Sequence, residues 1–578
     1  MSPSGKRHAC RSVPLDILNI LPEKAIDDIL MRLPLREAVR TSILSKNWRY
    51  KWCRLPELKL DQSLWNLSQS SDPTPKFKDI VYHLLTLHAG PLTKFTLSVY
   101  KLKKCPKIDN LIYFLSRNDI QHLVLKLPRG DPYKLPSSIF KCLKLRHLCL
   151  WDCIIQPPPP AFKGFASLIS LELGRVKIPS VSLGSLISTC PLLKELVLFI
   201  PERSNVIEIN APMLRSFKFT GSVRSICLKT VPRLAKLELL HYGYFEDEGK
   251  IDIAKFFESF SALEHLHLND DSLKLFARAG GAISKRLPYD LNCVKRLHLD
   301  FFGPGKLEVN TCALCLIRSF PCLQYMEIKL DDEDTPALEC LEEEAFSDVT
   351  FDHLREVKVL IGEYYHIMPP TDILPSDVLS DLLENVFDDI LNHLPFKDAA
   401  RTSFLSKKWR YDWGYGFEVQ CDIAMFFESV SAEYLEQLVL RISSILSHIQ
   451  IKAPKLRSFD FTGSLKSILL KKEPLLVKLV DTGHFVEAGQ PDLAEYFSSF
   501  PALEHLHLNY FSVQFLAAGF GDIAAKFFSS LNCLKCLWLS DICLDELAEL
   551  SHALSLIRSS TYLQEIQMKV RTGGPLRS

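Results

Sequence analysis

The sequence predicts an α/β chain in which a three-helix segment is followed by an irregular solenoid of short parallel strands. The pair is repeated, with a shorter second solenoid. Three observations predict this. The stretch Leu21–Trp52 returns as Leu382–Trp413, with 19 of 32 aligned positions identical. A six-residue unit, L-x-x-L-x-L with conservative apolar swaps, recurs behind each copy. The second series also repeats the first, since APMLRSFKFTGS at 211 matches APKLRSFDFTGS at 453 and SALEHLHL at 261 matches PALEHLHL at 501.

Residues 1–14 are polar and basic, with no apolar run of the kind that opens a secretory signal, and read as a disordered tail. The helical segment occupies 15–55. Pro22 suits a first helical position, where its missing N–H is no loss. Ile26, Ile29, Leu30 and Leu33 follow at helical spacing as one apolar stripe. Pro34 ends that helix, because the residue before a proline is pushed out of the helical region. A second short helix holds Arg36 to Arg40, and a third carries Leu44, Trp48 and Trp52 on one face, four residues apart. So short a unit buries too little surface to stand alone and must dock on a partner or on a larger domain.

Behind it, residues 56–365 read as the first solenoid. The unit starts at 92, 120, 145, 168, 193, 214, 234, 263, 294, 323 and 354, with successive starts 20 to 31 residues apart, in or just beyond the range of leucine-rich repeats. Each L-x-L is a short strand whose alternate side chains face inward. One such strand cannot bury its face by itself, so neighbours must stack into a parallel sheet. Pro191, Pro212, Pro232 and Pro321 precede units and mark the turn into each strand. Pro157–Pro160 form a stiff extended loop between two repeats. Residues 366–375 read as a linker, 376–416 as the second, degenerate helical segment, and 417–578 as the shortened array with units at 435, 456, 476, 503, 534 and 563. The copies are offset by 361 in the helical segment and by 242 at Ala211, so roughly 119 residues of the first array have no counterpart in the second.

The helical segment resembles an F-box, through Leu21-Pro22, Ile29-Leu30, Leu33-Pro34 and the run Leu44-Ser45-Lys46-Asn47-Trp48-Arg49. With the repeats, nearly the whole chain resembles the plant F-box/leucine-rich-repeat proteins that often end in an FBD segment. FDHLREVKVLIGEYY at 351 resembles the start of such a segment and stops at the linker. The resemblance implies a Skp-type adaptor, and through it a cullin, as partners. The adaptor-binding residues it implies are Leu21, Pro22, Ile29, Leu33, Pro34, Leu44, Ser45 and Trp48.

With 69 basic and 68 acidic residues the net charge is +1, which offers no electrostatic grip on nucleic acid or anionic lipid. No run approaches the roughly 18 apolar residues of a membrane helix. The expected location is nuclear, cytoplasmic or both. The 17 cysteines are read as buried thiols. Cys312-x-x-Cys315 and Cys533-x-x-Cys536 have zinc-like spacing, but a zinc site needs four converging ligands and neither has a second pair nearby. No cofactor is expected. His265 and His267, echoed by His505 and His507, lie on strand units with no nucleophile motif beside them, and ARAGGA at 277 lacks the flanking strand and helix of a phosphate loop. The chain is expected to be a non-catalytic subunit.

Recognition remains. The variable residue of each L-x-L faces the concave side of the solenoid, where such arrays bind partners. The candidates for target binding are Glu172, Lys218, Glu238, His267, His298, Glu327 and Lys358, a mixed set that suits a protein epitope. The expected function is substrate recognition for a Skp–cullin–F-box ubiquitin ligase. The alternatives are a non-ligase repeat scaffold and a receptor that needs a small ligand.

Overall fold

The computed structural model describes residues 21–46, 48–61, 74–100, 107–242, 252–277, 284–302, 307–330, 352–361, 434–451, 453–470, 475–482, 500–513, 533–542 and 562–571, with a few single positions beside them. The tail 1–14, the linker 366–375 and the second F-box-like segment 376–416 lie outside the described residues. The chain divides into two compact units that part near residues 251–263.

In the first unit, helix α1 (Glu23–Arg32) starts directly behind Pro22, whose carbonyl accepts from Ala25 and Ile26 at 2.9 and 3.1 Å. It stops at Leu33, and α2 (Leu35–Arg40) starts directly behind Pro34. The third helix expected over Leu44–Trp52 does not form. Single 3₁₀ turns at Thr41–Ile43 and Lys51–Arg54 flank an irregular bend. Local hydrogen bonds hold that bend in place of a helical ladder, Thr41 Oγ1 donating to the Ala38 carbonyl at 2.7 Å and Ser42 Oγ to the Arg49 carbonyl at 2.7 Å. Leu44, Trp48 and Trp52 therefore share no face: the indoles are 2% and 5% exposed, Leu44 49%.

The sheet of this unit is a run of parallel strands, β1 (Glu57–Leu60), β2 (Lys94–Ser98), β3 (His122–Lys126), β4 (His147–Trp151), β5 (Ser170–Gly174), β6 (Glu195–Asn210), β7 (Ser216–Thr230) and β8 (Lys236–His241), each paired with the next. The alternation behaves as period-2 patterning demands. Phe95, Leu97, Leu123, Leu125, Leu171, Leu196, Leu198, Phe217 and Phe219 are wholly buried, and the residue between each such pair is at least part-exposed. Helices α3 (Thr74–Leu87), α4 (Asp109–Ser116) and α5 (Ser180–Ser188) are returns between strands.

The second unit continues the same construction with β9 (His265–Asn269), β10 (Arg296–Phe302), β11 (Tyr325–Leu330), β12 (Glu356–Ile361), β13 (Gln437–Ile451), β14 (Ser458–Leu470), β15 (Lys478–Asp481), β16 (His505–Asn509), β17 (Cys536–Ile542) and β18 (Glu565–Val570), again parallel and paired in order. Between them run α6 (Asp270–Ala277) and α7 (Leu307–Arg318). The sequence sets a linker and a helical segment between β12 and β13, yet Val357 pairs directly with Leu438 and Val359 with Leu440. Strands from both sides of the second F-box-like segment thus share one ladder.

The prolines act as expected. In Cys190-Pro191-Leu192-Leu193 the Leu193 N–H donates to the Cys190 carbonyl at 3.2 Å, and the same turn recurs at Ala211–Leu214, Val231–Leu234, Phe320–Leu323, Ala453–Leu456 and Phe500–Leu503. Proline presets the second position of such a turn. The duplication is also visible in the backbone. The long pairs β6–β7 and β13–β14 overrun the six-residue unit, and each second strand contains a glycine in the same unusual conformation, Gly221 at φ +147° and Gly463 at φ +148°. A Cβ on Gly221 would fall 1.9 Å from the Ile200 carbonyl oxygen, so no other residue fits there. Asn269 accepts from the Ser272 N–H and Oγ at 3.1 and 2.7 Å, capping α6, and Asn509 repeats this with Ser512 at 2.8 and 2.9 Å. Among the described residues no helix is long and apolar enough to cross a membrane.

Candidate functional site

The residues singled out in the sequence lie on the F-box-like segment of the first unit and on the outward strand rows of both units.

The F-box-like segment divides its apolar residues between two roles. Ile26, Leu30, Leu35, Ala38, Trp48, Trp52 and Cys53 are buried, whereas Ile29, Met31, Leu33, Ile43 and Leu44 are 39%, 52%, 36%, 86% and 49% exposed. The single stripe expected on α1 is therefore two neighbouring rows, Ile26/Leu30 turned inward and Ile29/Leu33 outward. Pro22 and Pro34 are exposed, and Leu21 and Ser45 are half-buried. Trp48 differs from the other adaptor-binding candidates, since at 2% exposure its indole supports this surface from inside and cannot be its contact. The segment is held against the array through its far end. The Cys53 carbonyl accepts from the Ala89 N–H at 3.0 Å, the Pro56 carbonyl from Thr93 at 2.9 Å, and the Leu55 carbonyl lies 3.0 Å from His88 Nε2. Lys51, 8% exposed, donates to Glu23 at 2.5 Å, and this ammonium holds the Glu23 carboxyl below its usual range.

The other candidates lie on the outward rows of the strands, described for each unit in turn. Within the first unit, Thr96, Val124, Cys149, Glu172, Val197, Lys218 and Glu238 stand side by side in register. Glu172 accepts from Trp151 Nε1 at 2.7 Å. Glu238 departs from expectation, being 7% exposed, with Lys218 donating to it and Lys236 4.0 Å away. It stabilises its neighbours and presents little surface.

In the second unit His267, His298, Glu327 and Lys358 stand in register across β9–β12. They belong to a network whose second row the sequence did not single out. Asp300, 2% exposed, lies 2.7 Å from His267 Nε2 and 3.2 Å from Lys329 Nζ. Glu327 accepts from the Tyr325 hydroxyl and lies 3.6 Å from His298 Nδ1 and 3.8 Å from Lys329. The Arg296 guanidinium and the Lys358 ammonium lie 5.0 and 5.3 Å from the Tyr325 ring centre, within cation–π range. Burial opposes ionisation of Asp300, but hydrogen bonding and charge from His267 and Lys329 outweigh it and hold its carboxyl below the ordinary range. Glu327 is held down to about 2, first by His298 and then by Tyr325. Desolvation, reinforced by Glu327, pushes the Tyr325 phenol up. The row is thus a dense patch of alternating sign with its charges paired. Asp300 and Lys329 escaped the sequence reading because they lie two residues past the variable position. The signal available was the charged pair at one offset in adjacent repeats.

The cysteines behave as buried thiols where they are inward. Cys312 and Cys315 lie on α7 at 0% and 1% exposure, and burial pushes both thiols up, Cys315 to about 11. A thiol so shifted is a poor nucleophile and a poor metal ligand. Cys533 is exposed and Cys536 half-buried.

Similarity to known proteins agrees with this anatomy. The F-box domain family matches residues 18–60 and again 373–411. The family described as FBD-associated F-box protein At5g56370, LRR repeats, matches residues 108–328. Among Arabidopsis thaliana proteins, the F-box/FBD/LRR-repeat protein At1g13570 is 39% identical over 260 residues, covering 43% of this chain and 61% of that protein. The F-box/LRR-repeat protein At4g14103 is 30% identical over 233 residues, covering 37% of this chain and 58% of that protein. The chain thus spans about three-fifths of the length of these relatives. The Leptospira interrogans LRR protein LIC12759 aligns over 82% of this chain and 90% of its own, at 14% identity and a TM-score of 0.32, too slight a likeness to build on. An F-box is thus matched twice and leucine-rich repeats are matched between the two, the combination seen in the Arabidopsis F-box/FBD/LRR-repeat proteins to which the chain is similar.

Proposed function

We propose that this protein selects target proteins for a Skp–cullin–F-box ubiquitin ligase, in the nucleus or cytoplasm, and performs no bond chemistry itself. The observation that carries this is the exposed apolar row Ile29, Leu33, Ile43 and Leu44 on a small helical segment whose other side is packed. An isolated exposed leucine needs no explanation, but several gathered on so small a unit mark a contact surface. Pro22 and Pro34 fix the starts of both helices and so preset the shape of that surface. The F-box docks a Skp-type adaptor there. The outward row of the array, including Glu172, Lys218, His267, His298, Glu327 and Lys358, holds the target. Tethering target and ligase raises their effective concentration for each other.

The test is co-precipitation from plant cells. Wild-type chain is expected to recover adaptor and cullin, and the double variant Leu33→Asp/Leu44→Asp to recover far less of both while still folding. Absence of cullin from the wild-type precipitate would instead favour a scaffold outside the ligase.

A further inference from the structure

Strands β16 to β18 of the second unit repeat β9 to β11 position for position, but the repeat is selective. Inward, Leu266, Leu268, Leu297 and Leu299 return as Leu506, Leu508, Leu537 and Leu539, all buried. Outward, Arg296 becomes Cys536, His298 becomes Trp538, Tyr325 becomes Glu565 and Glu327 becomes Gln567. The scaffold is kept while the surface it presents is exchanged. In the new surface the Trp538 indole is 45% exposed, in register with His507 on one side and Gln567 on the other. The His507 ring stacks on it at 4.4 Å and 10°, and its Nε2 lies 3.2 Å from Ser540 Oγ. Burial holds that imidazole below its ordinary range, so near pH 7 it is a neutral ring. The indole is therefore backed by a fixed neighbour and still open to a partner. Tryptophan is enriched at the energetic centres of protein interfaces.

The groups around the indole point to the partner's chemistry. Gln567 Nε2 donates to Glu565 Oε1 at 2.6 Å, and Glu565 Oε2 lies 3.9 Å from Cys536 Sγ. Gln567 and Cys536 are the cross-strand and in-strand neighbours of Trp538 on the same outward face, so the exposed Glu565 carboxylate is oriented beside the ring. A second exposed carboxylate, Asp541, stands at φ +60° in the bulge where the register shifts between Ser540 and Ile542, close enough to act on the His507 charge. Copy one has the same bulge, between Asp300 and Phe302, but carries Phe301 in it. Lys569, also exposed, opposes these two carboxylates. Asp460 and Lys478 act on His507 with opposite sign, and Glu504 and Lys535 pair with each other at 2.7 Å. Among the described residues of β16–β18 one carboxylate is thus in excess, whereas in copy one Arg296, Asp300, Glu327 and Lys329 balance. Copy one also flanks its own aromatic ring, Tyr325, with the cations Arg296 and Lys358 at 5.0 and 5.3 Å. Copy two keeps a ring in this row and has Cys536 in place of Arg296. A guanidinium fits both features left open, stacking on an indole by its face and donating to a carboxylate from its edge.

We propose that the outward row of β16–β18 is a second target-binding surface, which receives an arginine-bearing protein segment with its guanidinium stacked on Trp538 and paired with Glu565. The assignment rests on the target-holding role of the array proposed above and gives the second array a partner chemistry of its own. The full chain, labelled with 5-fluorotryptophan, is titrated with acetyl-Gly-Arg-Gly-amide and with its citrulline and Phe analogues. The readout is the fluorine signal of Trp538, identified by its loss in Trp538→Phe. The Arg peptide is expected to bind at least fivefold more tightly than either analogue. Glu565→Gln, at an exposed position, is expected to weaken it threefold or more while leaving the melting temperature unchanged. Citrulline or Phe peptide binding as tightly as the Arg peptide would overturn the proposal. So would a Trp538 signal that millimolar Arg peptide does not move, or an affinity that Glu565→Gln does not change. Adaptor recovery is measured on the same variants. It is expected to be unchanged, so a negative peptide result removes this surface and leaves the F-box reading standing.

Discussion

His267 Nε2 and Asp300 Oδ2 lie 2.7 Å apart across β9 and β10, and the carboxylate is 2% exposed. Lys329 completes the cradle at 3.2 Å. A buried charge is tolerable only when paired, and losing one partner is far costlier than the pair is worth.

Acid stability tests this network. Asp300 and Glu327 both have depressed carboxyl values in the folded chain, Glu327 at about 2. A depressed value means that the unfolded chain binds protons first, so the stabilisation is complete above the unfolded value near 4 and is lost as pH falls through the folded one. The melting temperature is expected to fall between about pH 4.5 and 2, and Asp300→Asn/Glu327→Gln to flatten that decline while lowering stability at pH 7. Arg296, Lys329, Lys358, Glu356, His298 and Tyr325 face the same groups and are left intact. A thermal melt series at fixed ionic strength reads both effects. An unchanged slope in the double variant would show that the network contributes nothing.

Inward and outward positions of one repeat unit should respond unequally. Leu266 is wholly buried, whereas Glu264 is about half-exposed and paired with Lys295 at 3.4 Å. Leu266→Asp is expected to lower the melting temperature by several degrees, since roughly 1 kcal/mol moves it by about 2–4 °C in mid-sized domains. Glu264→Lys loses one exposed ion pair, typically less than about 1 kcal/mol, and should barely move it. Equal shifts would contradict the alternation.

What was legible follows from the range of each interaction. The L-x-L alternation and the Pro-led turns are set by neighbours within a few residues, so LEHLHL at 263 already named Leu266 and Leu268 as core. The third F-box helix misled because Leu44, Trp48 and Trp52 keep helical spacing while the chain folds as a bend. There, burial of the two indoles outweighs propensity. Asp300–Lys329 and Arg175–Asp152 depend on register between repeats 29 and 23 residues apart, which spacing alone does not align at the strand ends. The joining of β12 to β13 was likewise hidden by the intervening segment.

Trp48 and Leu44 separate support from contact. Trp48→Ala removes a buried indole, which costs roughly 3–5 kcal/mol and should unfold the F-box segment. Leu44→Ala trims an exposed side chain and should leave the fold intact while weakening adaptor recovery. Limited proteolysis beside co-precipitation distinguishes the two: Trp48→Ala is cut within residues 21–54, Leu44→Ala is not. Unchanged adaptor recovery by Trp48→Ala would refute the supporting role.

The last prediction compares the F-box copies, of which the second lies outside the described residues. Pro22 starts α1 in the first copy, and the second has Leu383 at that position. A compatible proline stabilises by about 0.4–1 kcal/mol through the unfolded chain alone. Leu35, Val39 and Ile43 become Phe396, Ala400 and Phe404. Leu35, the first residue of α2, is buried, so a phenylalanine there needs repacking, which typically costs about 1–3 kcal/mol. Ile43 is 86% exposed, so its replacement changes the docking surface itself. The losses act in one direction, and about 1.4 kcal/mol already weakens binding tenfold. In the full chain, Leu33→Asp/Leu44→Asp silences copy one, and Leu394→Asp/Leu405→Asp silences copy two. Titration of purified adaptor against each is expected to show the chain that keeps only copy two binding at least tenfold more weakly. Equal affinities would mean that the second copy is a working F-box, and that neither Pro22 nor the packing behind α2 limits docking.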